Sequence, residues 1–144
     1  MSDKAVDKFR ININASIWEY RRDKNYEGFH FHCAKDDVIK FKELLDLMLE
    51  AEYSSKKIIK LSKIMKGHEI SSCKRNPQFF EFLEIRSKRE PNEEYWKMFA
   101  ADKTVIFEIT PEYIKGFKND LEDYRQGGFD YAIGEEDQSC LWLW

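Results

Sequence analysis

Residues 29–52 read FHFHCAKDDVIKFKELLDLMLEAE, and the change of period inside this stretch decides the fold class. From Phe29 to Cys33 the pattern alternates, with Phe29, Phe31 and Cys33 on one side and His30 and His32 on the other, as in a strand with one buried face. From Asp36 to Glu52 the spacing becomes helical. Val38, Phe41, Leu45 and Met48 form an apolar stripe that Leu44 and Leu49 widen, and Asp36 or Asp37 is placed to cap its start. A strand followed directly by an amphipathic helix predicts a mixed fold.

Working outward, FRININASI (9–17) alternates strictly and predicts a strand, and Trp18 and Tyr20 on the opposite parity imply a bulge or a second packed face. Downstream, KKIIKLS (56–62), QFFEFLEIRSK (78–88), WKMFAA (96–101) and TVIFEIT (104–110) read as strands, the last two joined as a hairpin across Asp102-Lys103. A second helix starts after Thr110, whose hydroxyl can cap it, with Pro111 in its first turn, where a missing amide hydrogen is harmless, and stops at Gly127 or Gly128. Ile114, Phe117, Leu121 and Tyr124 are its apolar stripe, and FDYAI (129–133) and CLWLW (140–144) close the chain as strands. The expected architecture is α+β over residues 1–144 as a single domain: an antiparallel sheet of about seven or eight strands with two helices packed on it. Two smaller sheets, or one that curls strongly, would use the same strands.

Composition bounds the function classes. A chain of 144 residues buries roughly 70% of its unfolded surface. With 35% charged and 15% aromatic residues it matches neither disorder nor a membrane protein, and no apolar run reaches the ~20 residues of a spanning helix. The opening MSDKAVDKFR lacks a signal-like apolar stretch, so a cytoplasmic location is expected. Cys33, Cys73 and Cys140 are odd in number and widely spaced, which suits reduced thiols rather than a disulfide framework. Monomer or weak dimer is the expected state.

Several constellations bear on chemistry. His30 and His32 on one strand face would give two nitrogens to a transition metal, with His68, Glu69 or Cys73 as candidates for a third ligand. Solvated imidazoles are the competing reading, and no cofactor is expected. Cys73 with His68 is the one Cys-His pair to consider as a nucleophile and base, whereas Cys33 lies on the inward parity as an inert thiol. From Lys56 to Arg75 the chain is basic, a pattern that suits a phosphate backbone or a guarded sheet edge. The net charge of −3 makes nucleic acid a poor principal partner.

The acidic counterpart includes Glu122, Asp123, Asp130, Glu135, Glu136 and Asp137, adjoining Trp142 and Trp144. Carboxylates beside aromatics suit a protein-binding surface for a basic partner, with charge steering the encounter and indoles anchoring it. The pattern G-G-F-D-Y-x-I-G followed by L-W-x-W, with A-S-I-W-E-Y near the start, resembles small bacterial proteins. In size, acidity and α+β build the chain is similar to immunity proteins of bacterial toxin systems. That resemblance implies a non-catalytic module that binds and blocks a toxin domain; it assigns no role to any single residue. The alternatives are a small metal-dependent enzyme using His30 and His32, and a single-stranded nucleic-acid binder.

Overall fold

A computed structural model of the chain describes residues 4–20, 28–62, 77–89, 93–127, 131–133 and 141–143. In chain order the elements are α1 (Lys4–Lys8), β1 (Ala15–Tyr20), β2 (Phe29–Cys33), α2 (Lys35–Glu50), β3 (Ser55–Lys60) and β4 (Pro77–Phe79). There follow β5 (Phe82–Ser87), β6 (Trp96–Ala101), β7 (Thr104–Ile109), α3 (Pro111–Arg125), β8 (Tyr131–Ile133) and β9 (Leu141–Leu143). The α+β class holds, but the strands divide between two sheets rather than filling one. The first has the order β4-β1-β2-β9-β8 and the second β3-β5-β7-β6. Neither is purely antiparallel, because β2 with β9 and β5 with β7 run parallel.

The division has a local cause. The segment 78–88, expected as one strand, breaks at Phe80 and Glu81 as it passes from the first sheet to the second. The Phe80 amide donates to Ile17 of β1, whereas the Glu81 amide donates to Lys103 and the Glu81 carbonyl accepts from Leu61. One segment therefore serves as an edge in one sheet and an interior strand in the other. The expected strand from Phe9 is also shorter: pairing begins at Ala15, and the preceding turn is α1. Lys57 holds that turn, its ammonium donating to the carbonyls of Val6 at 3.1 Å and Asp7 at 2.9 Å.

Both long helices match their periodic stripes. Val38, Phe41, Leu44, Leu45 and Met48 are buried on α2, and Ile114, Phe117, Leu121 and Tyr124 on α3. Their caps differ from expectation. Asp37 accepts the Asn14 amide at 2.8 Å instead of capping its own helix, and the Thr110 hydroxyl is taken up by the backbone of Tyr95. The C-terminal end of α2 has no basic residue of its own, and the Arg89 guanidinium supplies the cation by donating to the carbonyls of Met48 and Leu49. Gly127 closes α3 at φ 102°, the left-handed conformation its glycine was expected to provide.

Among the described residues, one hydrophobic cluster joins the helices to strands of both sheets. A run of edge-on aromatic contacts passes from Phe31 of the first sheet to Phe41 of α2, Phe117 of α3, and then Phe107 and Trp96 of the second sheet, with ring centroids 5.2–5.9 Å apart. Such pairs contribute about 0.5–1.5 kcal/mol each beyond their area. The helices are thus bound to the inner faces of both sheets, and Lys42–Glu122 at 2.8 Å and Lys118–Asp46 tie them to each other.

Candidate interaction surface

The helices fill the inner faces of both sheets and leave the outer faces to differ. On the first sheet that face is closed at its centre. Trp18 and His30 are cross-strand neighbours, both 0% exposed, with their rings stacked at 5.6 Å and 23°. Phe79 continues the row on the other side of Trp18, and Trp142 stands opposite His30 in the ladder of β9, a strand interior to the sheet. Trp18 therefore belongs to a second packed face and cannot stack on bases as an exposed ring.

The His-x-His pair is placed accordingly. His30 is enclosed as a member of that stack, and His32 is half-buried with Nδ1 3.2 Å from the Tyr124 hydroxyl. The same hydroxyl accepts from the Cys33 amide at 3.3 Å and donates to its carbonyl at 3.2 Å, pinning α3 to the end of β2. Among the described residues no group of three His, Cys, Asp or Glu converges as a ligand set. Burial, with the nearby Asp37 charge, pushes the Cys33 thiol up to about 12, so it stays protonated, as its inward parity implied. His68, Glu69, Cys73 and Cys140 lie outside the described residues.

The acidic residues of α3 separate in role. Glu122 accepts from Arg125, Lys42 and Gln126, hydrogen bonds that hold its carboxyl well below the usual carboxylate range. This side chain is committed within the protein, while Asp123 on the next position is exposed. Asp130, Glu135, Glu136, Asp137 and Trp144 lie outside the described residues.

The outer face of the second sheet is organised differently. Register aligns three rows across its strands. Lys60, Phe82, Thr104 and Ala101 form the first, Ile58, Glu84, Ile106 and Phe99 the second, and Lys56, Arg86, Glu108 and Lys97 the third. In the last row Glu108 is only 9% exposed, accepting from Arg86 at 3.0 Å and from the Tyr95 hydroxyl at 3.1 Å, with Lys97 at 3.6 Å. Arg86 also donates to Glu84. Burial pushes the Glu108 carboxyl up, but the bonds from Arg86 and Tyr95 and the charges of Lys97 and Lys88 outweigh it, so it titrates below its ordinary value. The carboxylates of these rows, Glu84 and Glu108, are sunk and paired.

Around them apolar side chains stand in solvent. Ile58 is 56% exposed, and Phe82 and Phe99 are each 37% exposed. Lys97 lies 5.8 Å from the centroid of the Phe99 ring, and Lys56 and Lys60 are exposed on β3, which is an edge strand as the lysine-guard reading requires. Among the described residues, two concavities border the face. One of about 500 Å³ is bounded by Phe9, Ile11, Lys57 and Ile58, and one of about 680 Å³ by Lys60, Leu61, Phe79 and Phe82.

No protein-family model matches this chain. None of the curated proteins matches it either. Its own surface is the ground for a functional reading. Parity reasoning missed this patch, although one signal existed: Ile58 and Ile59 are adjacent in a strand, so one of them has to face away from the helices.

Proposed function

We propose that this chain is a non-catalytic binding protein that docks a protein partner on the outer face of the second sheet. The observation that carries this reading is the exposure of Ile58, Phe82 and Phe99 together on one face, around a charge network in which Glu108 is held by Arg86 and Tyr95. Apolar anchors ringed by polar groups are the composition of an interface centre, where a few side chains supply most of the affinity. The immunity role implied by the resemblance is the specific form of this reading: the partner is a toxin domain, and binding occludes it. A basic partner would meet Asp123 on α3, but Glu122 beside it is neutralised by Arg125 and Lys42.

The test is partner retention by a chain carrying Ile58→Ser and Phe99→Ser, against one carrying Asp123→Lys. Loss of retention in the first and not the second is the expected result, with native circular dichroism in both. Unchanged retention in the serine variant would remove this face from consideration.

A further inference from the structure

We infer that the segment received by this face is acidic as well as apolar, a conclusion that rests on the docking reading above. The rows run across strands spaced about 4.8 Å apart, so Ile58 and Phe99 bracket roughly 14 Å, the reach of four or five extended residues. The apolar row has cations on both sides: Lys56 and Lys60 on β3, Lys97 on β6 and Lys103 in the turn that follows it. The acids within the face do not balance them for a newcomer. Glu84 and Glu108 are sunk and held by Arg86, Tyr95 and Lys97, whereas Lys56 and Lys60 project to solvent from the edge strand. Glu81, 3.8 Å from Lys103, and Asp102, beside Lys103 in the same turn, are exposed acids at this end of the face.

A basic segment would therefore meet projecting ammonium groups and find the carboxylates occupied. An acidic one would pair with the lysines at the rim while its apolar side chains cover Ile58, Phe82 and Phe99. This surface has the opposite sign to the chain as a whole, whose net charge is −3. Nucleic acid fits less well, because the carboxylates of Glu84 and Glu108 stand within the second and third rows of this face, and Ile58, its most exposed apolar member, offers no ring for stacking.

The experiment is selection of short peptides from a random displayed library on the folded full chain. The Ile58→Ser, Phe99→Ser double variant is the counter-target, and Lys56→Glu, Lys60→Glu is a second variant, both verified for native circular dichroism. Enriched peptides should carry net negative charge around apolar residues, bind the charge-reversed variant roughly tenfold more weakly, and lose affinity with added salt. Peptides that require Ile58 and Phe99 yet are neutral or basic would overturn the acidic chemistry and leave the docking face standing. Enriched peptides bound equally by the serine variant would overturn both. Displacement of the peptides by a single-stranded oligonucleotide, or by a second copy of the chain at rising concentration, would overturn the acidic segment as occupant.

Discussion

The two sheets share one helical core but treat their outer faces in opposite ways: the first buries Trp18 and His30 there, while the second leaves Ile58, Phe82 and Phe99 in solvent. Fully burying such side chains stabilises a fold by about 1.5–3 kcal/mol each. The first sheet realises that gain internally. The second leaves it unrealised, and pairs its sunken Glu108 with Arg86, Tyr95 and Lys97. Where an apolar side chain sits on a sheet is thus less informative than whether the fold itself covers it.

The largest effect that would break this contrast is in stability. Trp18→Ala should lower the urea-derived free energy of unfolding by about 3–5 kcal/mol, as for other buried aromatics, whereas Phe99→Ala should stay within about 0.5 kcal/mol of the parent. Equal losses would mean that Phe99 is a core residue. Next comes the charge network. Glu108→Gln keeps the shape but removes the charge that Arg86 and Lys97 approach, and should cost about 1–3 kcal/mol in the same measurement. An unaltered midpoint would show that the network contributes nothing to the fold.

A pH titration of stability sharpens the same point. Glu108 and Glu122 both titrate below their ordinary value of 4.5 in the folded chain. The unfolded state therefore takes up protons first, so their stabilisation is complete above pH 4.5 and is lost as pH falls through the lower folded values. Thermal midpoints should decline with acid in that window, and less steeply for Glu108→Gln. The smallest effect expected is at the edge of the second sheet: Lys57→Met removes a cation from the last carbonyls of α1 and should cost about 0.3–1 kcal/mol, read as faster hydrogen exchange near Val6.

Local pattern revealed the parts whose physics is local. The stripes of α2 and α3, the turn at Asp102-Lys103 and the inward parity of Cys33 follow from spacing alone. Sheet membership does not, because the alternation of 78–88 is the same whether one sheet or two receive it; hydrogen bonds to Ile17 and Lys103, remote in sequence, decide that. The parallel pairings of β2 with β9 and β5 with β7 are hidden for the same reason. α1 is too short to show a stripe, and is held by Lys57 from a distant strand. The candidate surface was harder still to see. Its apolar members are scattered over β3, β5 and β6, and an interior Glu108 within VIFEI reads as a polar interruption until Arg86, Tyr95 and Lys97 are brought to it.

The most direct measurement is photocrosslinking in native cells, with a benzophenone amino acid placed singly at 99 on the second sheet and at 123 on α3. The account predicts one discrete protein adduct from position 99, lost when Ile58→Ser is added, and none of comparable yield from position 123. An adduct from position 123 alone would contradict it and return recognition to the acidic helix.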